Sequence, residues 1–164
     1  DLIVLVCSNL AWCHPVLYQR IVAAKAKRPE MRVVLIDPRR TNTADIADLH
    51  LAIRSDGDIA LFTGLLAFLD NAGATNRNFV ANHTNGATHA LDLAASWPVA
   101  RVATATGAVE ADIAAFYRWF AATPRTVTIF SQGVNQSASG TDKVNAIINC
   151  HLLKRIGNRL CGFP

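Results

Sequence analysis

Three side chains that can hold metals or act as nucleophiles stand close together near the start of the chain: Cys7, Cys13 and His14. Thiolate and imidazole groups are common zinc ligands, and clustered cysteines hold iron–sulfur groups. The spacing of these three residues fits neither pattern, and the chain contains no C-x-x-C pair and no helical His pair at i and i+4. No Ser or Cys has a well-placed base beside it. We therefore predict no metal site and no catalytic residue in this chain.

Four polar segments suggest a different chemistry, the binding of an anionic small molecule. They are CSNLAWCH at 7–14, DPRRT at 37–41, SDGD at 55–58 and SQGVNQ at 131–136. The first leads into a helix start at Pro15, where free N–H groups and the helix dipole attract phosphate. Hydrogen-bonding groups at such positions are typical of nucleotide sites, so the four segments are our candidates for a ligand site.

Individual residues in these segments suit particular parts of a nucleotide. Asp37 stands at the end of an apolar run, where an acid commonly holds ribose hydroxyls. Arg39 and Arg40 can pair with phosphate through the guanidinium fork. Asp58 can accept hydrogen bonds from a base with adjacent N–H groups, such as guanine. The amides of Gln132, Asn135 and Gln136 both donate and accept, which suits the edge of a heterocycle.

Plainer interpretations of the same residues stay open at this point. Asp58 can simply cap a helix, and Asp-Pro commonly starts a turn. Arg39 and Arg40 can form surface ion pairs. The SQGVNQ amides can serve simply to hydrogen-bond their own loop to the sheet. The Gly-x-Gly-x-x-Gly fingerprint and the Gly-x-x-x-x-Gly-Lys-Ser/Thr phosphate loop are both missing, which argues against a standard nicotinamide or P-loop site.

The elements that must position these segments follow from the hydrophobic pattern. Continuous apolar runs predict strands buried on both faces. The predicted strands are LIVLVC at 2–7, MRVVLID at 31–37, LHLAI at 49–53 and RTVTIF at 125–130. Helical patterns occupy 16–28, 59–73, several pieces of 76–122, and 143–157. The alternation predicts an α/β fold: a parallel sheet flanked by helices on both faces, in a Rossmann-like, doubly wound, three-layer domain. All four polar segments then fall at the carboxyl edge, where open α/β sheets bind ligands.

Composition limits the class of protein. The chain has 164 residues, of which 51% are hydrophobic and 17% charged, with a net charge of +4. Soluble domains average about 25% charged residues, so we expect part of the surface to be covered by other protein. The basic residues form no stripe for nucleic acid, and no apolar run approaches the roughly 18 residues of a membrane span. We expect reduced thiols in a cytoplasmic protein, and a single α/β domain at 1–164 that is a fragment of a larger multidomain enzyme.

The polar segments together resemble a known family. SNLAWCHPVLYQRI, VVLIDPRRTNTADIADLHLAI, GDIALFTGLLAFL and FSQGVNQSASGTDKVNAIINCHLL occur in this order in the large molybdopterin oxidoreductases. The resemblance covers essentially the whole chain and is nearest to the catalytic subunits of bacterial assimilatory nitrate reductases. Periplasmic nitrate reductases and formate dehydrogenases are similar more loosely. The position of Cys7 is usually glycine in this family.

This resemblance implies a cofactor and the residues that bind it. Such enzymes use molybdenum-bis(molybdopterin guanine dinucleotide), together with a 4Fe-4S cluster that is bound outside this segment. The implied cofactor-binding residues are Ser8, Asn9, Asp37, Pro38, Arg39, Arg40, Thr41, Asp56, Gly57, Asp58, Gln132 and Gln136. The implied roles are phosphate binding at 8–13, guanosine recognition near Asp37 and Asp58, and pterin contacts from Gln132 and Gln136.

The sequence thus predicts a molybdopterin guanine dinucleotide-binding domain of a molybdenum-dependent nitrate reductase, which reduces nitrate to nitrite. The partners would be the remaining domains of the same polypeptide and the dinucleotide, with no nucleic acid and no membrane. The isolated domain would be inactive, because the molybdenum ligand and the cluster lie elsewhere. The alternatives are a domain of another member, such as formate dehydrogenase, a non-catalytic nucleotide-binding module, or a scaffold piece without its own ligand.

Overall fold

The sheet consists of five parallel strands. A computed structural model describes residues 1–154 and 159–162, the last four through their backbone. The strands are β1 (Leu2–Val6), β2 (Arg32–Ile36), β3 (Leu49–Leu51), β4 (Thr126–Phe130) and β5 (Arg159–Gly162). Their order across the sheet is β3-β2-β1-β4-β5, and every pairing is parallel. From β1 the sheet grows in one direction through β2 and β3 and in the other direction through β4 and β5. This reversal of strand order makes β1 the switch point of a doubly wound sheet.

Helices connect the strands and cover the sheet. The helices are α1 (Leu10–Cys13), α2 (Pro15–Lys27), α3 (Asp58–Asn71), α4 (Arg77–His83), α5 (Ala87–Ala94), α6 (Val99–Thr106), α7 (Glu110–Ala122), α8 (Gln132–Asn135) and α9 (Gly140–Lys154). A 3-10 turn, Asn42–Ile46, precedes β3. None of the helices in the described part of the chain is both long and apolar enough to cross a bilayer.

Two hydrophobic cores lie on opposite faces of the sheet. Alternate side chains of a strand point to opposite faces, so Val4 and Val6 of β1 enter one core and Leu5 enters the other. The larger core is built mainly with α3, α7 and α9, and the smaller one with α1 and α2. Burial on both faces explains why the strands are continuously apolar, and it confirms the predicted three-layer α/β fold.

The structure adds short elements that the hydrophobic pattern did not predict. Helices α1 and α8 have four residues each and lie within segments that we expected to be loops. A single helical turn is too short to show a periodicity of 3.6 residues. The fifth strand, β5, was also missed, because Arg159–Gly162 lacks a continuous apolar run. The predicted end of the last helix, at 155–157, lies outside the described residues.

Candidate functional site

A cleft of about 600 Å³ opens across the carboxyl ends of the central strands. Its walls come from the loops that follow β1, β2, β3 and β4, which are the four polar segments of the sequence. The lining residues are Cys7, Ser8, Asn9, Cys13, Asp37, Pro38, Arg39, Ile53, Arg54, Ser55, Asp56, Asp58, Ser131, Gln132, Gly133, Ser137 and Lys143. The cleft therefore lies where the topology of an open α/β sheet favours a ligand.

The loop after β1 is held in an unusual backbone conformation. Cys7 and Asn9 both have positive φ, 46° and 39°, a region that side chains other than glycine rarely adopt. The Cys7 N–H donates to the carbonyl of Ile36 at 2.8 Å, and the side chain of Leu10 is fully buried just beyond. These anchors fix the reversal of the chain from β1 into α1. Such local strain persists where the surrounding structure determines it, commonly at ligand sites.

Close contact between two loops explains the glycine at position 133. A Cβ atom at Gly133 would lie 2.6 Å from the Cβ of Cys7 and 3.2 Å from the carbonyl oxygen of Cys7. The 2.6 Å contact is too short for a real side chain, and the 3.2 Å contact is tight and involves a backbone atom that can shift only a little. The loops after β1 and β4 thus meet here with room for one side chain, and Cys7 takes that room.

Three buried polar atoms in the loops after β1 and β2 lack a hydrogen-bond partner. They are Ser8 Oγ, Asn9 Oδ1 and Thr41 Oγ1. Ser8 is only 2% exposed, so bulk water does not reach its hydroxyl freely. Buried polar groups are normally paired, because an unpaired one costs about 1–3 kcal/mol. A fourth such atom, His151 Nδ1, lies on α9 away from these loops, but Ser8 and Asn9 both line the cleft, where a bound molecule can supply their partners.

The end of β2 supplies a buried carboxylate. Asp37 is 1% exposed, and its Oδ1 accepts a hydrogen bond from the Arg39 N–H at 2.9 Å. The Arg39 Nε atom lies 3.6 Å from the same oxygen. The ring of His50 contacts the Asp37 carbonyl oxygen through Nε2 at 2.9 Å. The local turn thus fixes the carboxylate at the cleft wall, while the exposed Arg39 guanidinium stays near it.

A lysine from α9 lies between two carboxylates at the start of α3, one in the preceding loop and one on the first residue of the helix. Lys143 Nζ is 2.7 Å from Asp56 Oδ1 and 3.3 Å from Asp58 Oδ2. The side chains of Lys143 and Asp58 are 2% and 3% exposed, whereas that of Asp56 is 73% exposed. Asp56 has a φ of 64°, which makes it the third non-glycine residue with positive φ among those described. The cluster spans the cleft from its buried floor to its rim.

Burial and charge set the protonation of this cluster. Burial raises the pKa of Asp58, and the Lys143 ammonium group partly opposes that shift. Burial lowers the pKa of Lys143, but its hydrogen bonds and ion pairs with Asp56 and Asp58 outweigh burial and raise it overall. Burial, with help from Asp58 and Asp37, raises the pKa of the Cys7 thiol to about 12. Cys7 is therefore a neutral thiol at physiological pH and a poor nucleophile.

Most of the residues predicted from the sequence meet at the cleft. Those that line it are Ser8, Asn9, Asp37, Pro38, Arg39, Asp56, Asp58 and Gln132. Arg40, Thr41, Gly57 and Gln136 are not among the lining residues. Gly57 instead packs at the start of α3, where an added Cβ would lie 3.0 Å from the Arg54 carbonyl oxygen. Asp58 is the first residue of α3, and the N-cap position before it is Gly57, which has no side chain to cap the helix.

Sequence reasoning did not single out several other lining residues, chiefly Arg54, Ser131, Ser137 and Lys143, although Ser131 belongs to the predicted SQGVNQ segment. Lys143 had a usable signal, because it lies on the helical face that also carries Ile147, Cys150 and His151, all buried. A cation on an apolar helix face requires a partner. The other three residues carried no comparable signal in the sequence.

The three described cysteines differ in their surroundings. Cys7, Cys13 and Cys150 are free thiols. Within the described residues, no group of three or more His, Cys, Asp or Glu side chains is arranged to hold a metal ion. Cys13 is exposed at the end of α1 and lines the cleft, whereas Cys150 is buried in α9 and contacts the carbonyl of Phe62.

A doubly wound parallel sheet with a polar cleft at its switch point is the architecture in which open α/β domains bind their ligands. The sequence model of one family, described as molybdopterin oxidoreductase, matches residues 1–163, and the chain belongs to that family. Membership implies a molybdenum–pterin cofactor.

Individual relatives agree with this assignment. A nitrate reductase of Klebsiella oxytoca is 52% identical over 163 residues, which are 99% of this chain and 18% of that protein. A nitrate reductase of Shewanella frigidimarina is 45% identical over 168 residues, again 99% of this chain and 18% of the relative. The chain thus spans about a fifth of the length of the curated relatives that it matches.

The structural comparison concerns the fold alone. Acetylene hydratase from Pelobacter acetylenicus superposes with a TM-score of 0.80, at 24% identity. The match covers 92% of this chain and 20% of that one.

Proposed function

We propose that this chain is the molybdopterin guanine dinucleotide-binding domain of a molybdenum-dependent nitrate reductase, in which the cleft binds the nucleotide end of one cofactor. The observation that carries the proposal is the pair of unpaired buried atoms, Ser8 Oγ and Asn9 Oδ1, on the cleft wall. The Ser8 hydroxyl can donate to a phosphate oxygen, and Asn9 Oδ1 can accept from a ligand hydroxyl or N–H group. The donors and acceptors present therefore fit a nucleotide.

Different charged and polar groups of the cleft suit different parts of the ligand. The buried Asp37 carboxylate suits the two hydroxyls of a ribose, and Asp58 suits the adjacent N–H groups of guanine. Arg39 and Arg54 bring positive charge to the same cleft, where a diphosphate would need it. Gln132 faces the cleft from the loop after β4 and suits the pterin side.

The chain's own share of the reaction is binding and orientation. The bound molybdenum–pterin group supplies the redox chemistry that reduces nitrate to nitrite, and the side chains named above hold its organic part. In this proposal a 4Fe-4S cluster and the molybdenum ligand come from other parts of the enzyme, so the domain by itself is inactive.

Two features support a domain that works inside a larger enzyme. The relatives at 52% and 45% identity are about five times longer than this chain, and both are nitrate reductases. Trp12 of α1 and Val16 of α2 expose 75% and 71% of their surface, which suits coverage by a further domain of the same polypeptide. We place the enzyme in nitrate assimilation in the cytoplasm, a compartment in which the free thiols Cys7, Cys13 and Cys150 stay reduced.

Nucleotide binding by the full-length enzyme, freed of cofactor, tests this function. Calorimetry should give at least about tenfold tighter binding of GDP than of ADP, because adenine lacks the N–H pair that Asp58 accepts. Asp58→Asn should remove that preference. Asp70→Asn, in the last turn of the same helix and paired with Thr75 and Arg77, is the matched control and should keep it. Equal or tighter binding of ADP by the unchanged enzyme would overturn the guanine assignment.

The substrate requires a separate assay. The cofactor-loaded enzyme, supplied with an artificial low-potential electron donor, should reduce nitrate and should not oxidise formate. The opposite result would favour a formate dehydrogenase.

A further inference from the structure

Lys143 is a buried cation whose recorded ion-pair partners both belong to the cleft. Its side chain is 2% exposed, and its ammonium group contacts Asp56 at 2.7 Å and Asp58 at 3.3 Å. A buried lysine is rare and requires compensation, since an unpaired ammonium group in a protein interior is costly. Both compensating partners, Asp56 just before α3 and Asp58 at its first residue, come more than eighty residues earlier in the chain.

The start of α9 fixes the position of this lysine. Gly140 is the first residue of the helix, and an added Cβ there would lie 2.6 Å from the Asn135 carbonyl oxygen and 3.0 Å from that of Val134. The glycine therefore lets α9 begin tightly against α8. Lys143 follows one turn later on the buried helix face, with Ile147 and Cys150 packed below it. The backbone thus directs the ammonium group at the cleft floor.

We propose that Lys143 is a positioning residue for purine recognition: its ammonium group holds the Asp58 carboxylate ionised and oriented toward the base, and keeps Asp56 at the rim. This inference rests on the nucleotide-binding function proposed above. Lys143 acts through the two aspartates, and neither the family match nor the relatives assign it a role.

The surroundings of Asp58 explain why the lysine is needed. Three ionisable groups in the described part of the chain face this carboxylate. They are the Cys7 thiol from the end of β1, 3.9 Å from Oδ1, the Asp56 carboxylate from the loop just before α3, and Lys143 from α9. Burial raises the pKa of Asp58 and the charge of Asp56 adds to that rise, while Lys143 opposes both. Without Lys143 the pKa of Asp58 rises further. The carboxylate would then become protonated at a higher pH than in the unchanged enzyme, and once protonated it would lose its capacity to accept two hydrogen bonds from guanine.

The experiment measures nucleotide binding against pH. Cofactor-free full-length enzyme carrying Lys143→Met is compared with the unchanged enzyme and with Lys143→Arg, using GDP and ADP from pH 6.5 to pH 8.5. ADP at each pH corrects for titration of the phosphates. For K143M we expect GDP binding at pH 6.5 to weaken by at least about tenfold relative to the unchanged enzyme, and to recover as the pH rises. K143R, which keeps the positive charge, should restore most of the affinity at pH 6.5.

A second lysine supplies the matched control. Lys25 of α2 also pairs with an aspartate, Asp48 at 2.5 Å, but lies outside the cleft. Lys25→Met should leave the GDP affinity and its pH profile unchanged. Should K143M not give folded enzyme, Lys143→Gln makes the same comparison with a polar side chain.

The outcomes separate this inference from the function on which it rests. An unchanged enzyme without preference for GDP over ADP overturns the nucleotide assignment itself. If the unchanged enzyme prefers GDP, equal affinities for K143M and the unchanged enzyme overturn the role of Lys143. A loss that is equal for GDP and ADP at every pH also overturns it, because a direct phosphate contact or a purely structural role gives that pattern.

Discussion

The two ends of the central strands differ in whether their polar side chains find hydrogen-bond partners within the protein. At the amino end, Asp48 accepts a hydrogen bond from the Val33 N–H at 2.7 Å and pairs with Lys25. The Asp1 carboxylate accepts two hydrogen bonds from Arg125, both at 3.0 Å. In the loops at the carboxyl end, buried side-chain atoms are left without a partner. These amino-end aspartates find their partners within the protein, whereas Ser8, Asn9 and Thr41 leave donors and acceptors for a molecule from outside.

The backbone repeats this contrast. Every non-glycine residue with positive φ in the described chain lines the cleft: Cys7, Asn9 and Asp56. Strain of this kind costs of the order of 1–3 kcal/mol per residue, and unpaired buried atoms add to that cost. A fold that concentrates both costs at one edge gives up stability there for a preorganised site, while the rest of the sheet supplies the stability.

The largest expected effects come from substituting one aspartate at each end of the sheet and comparing the results. Asp37→Ala should weaken GDP binding by cofactor-free full-length enzyme by about a hundredfold, because two charge-assisted hydrogen bonds to the ribose are lost. The same change should alter local stability by no more than about 1 kcal/mol, since Asp37 accepts only from its own turn. Calorimetry measures the affinity, and hydrogen exchange in β2 measures the stability.

Asp48→Ala should give the reverse pattern. It leaves the Val33 N–H and Lys25 without their partner, which costs about 1–3 kcal/mol in β2, and it leaves GDP affinity within about twofold. If Asp37→Ala and Asp48→Ala both change mainly GDP affinity, or both change mainly the stability of β2, the proposed difference between the two ends is wrong.

An intermediate effect is expected where the loops after β1 and β4 meet. Gly133→Ala places a Cβ 2.6 Å from that of Cys7, which should cost about 1–3 kcal/mol in local stability and reduce cofactor retention. Cys7→Gly removes one of the colliding atoms and also relieves the positive φ of 46° at position 7. The double variant should therefore regain most of the lost stability. Hydrogen exchange of β1 and α8 in the full-length enzyme, with cofactor content measured in parallel, checks both statements.

A double-mutant cycle makes this prediction strict. The two substitutions should be coupled by at least about 1 kcal/mol, because they act on one contact. Additive effects would mean that the Cys7 carbonyl oxygen, 3.2 Å from the added Cβ, is the real obstacle. Glycine at position 133 would then be required whichever residue occupies position 7.

The sequence predicted the framework of this site because the framework depends on local patterns. Burial on both faces forces a continuous apolar run, so β1 and β2 were visible, and Asp37 was visible as the polar residue that ends such a run. Residues that follow parallel strands meet at one edge, which brought distant segments to one cleft without knowledge of any contact.

Features that depend on contacts between distant loops were not predictable in this way. The residue type of Cys7 does not indicate its left-handed conformation, although the glycine that usually stands there in the family was a usable signal; the close approach of Gly133 and the hydrogen bond to Ile36 are contacts between distant segments. Lys143 was missed because its partners lie in a different loop, although a charge on the buried face of α9 was a usable signal. Arg40 and Gln136 were predicted from their residue types as well as from the resemblance, and Thr41 and Gly57 from the resemblance alone, yet all four lie outside the cleft lining.

The smallest expected effects distinguish an unpaired hydroxyl from a paired one. Ser8→Ala removes a buried hydroxyl that has no partner in the protein, so the cofactor-free enzyme should keep its stability or gain slightly. GDP binding should weaken by up to about tenfold, because the ligand loses one hydrogen bond. Thr43→Val is the control: Thr43 is also fully buried, but its hydroxyl oxygen accepts from the Ala11 N–H at 3.1 Å.

Thr43→Val should lose about 1–3 kcal/mol of local stability around α1. It should weaken GDP binding less than Ser8→Ala does, because the Thr43 hydroxyl bonds to the protein and not to the ligand. Hydrogen exchange of α1 and calorimetry with GDP on the same two variants make the comparison. If Ser8→Ala destabilises the cofactor-free enzyme as strongly as Thr43→Val, the Ser8 hydroxyl has a partner within the protein or in bound water. The unpaired atoms at the carboxyl edge would then no longer argue for a ligand.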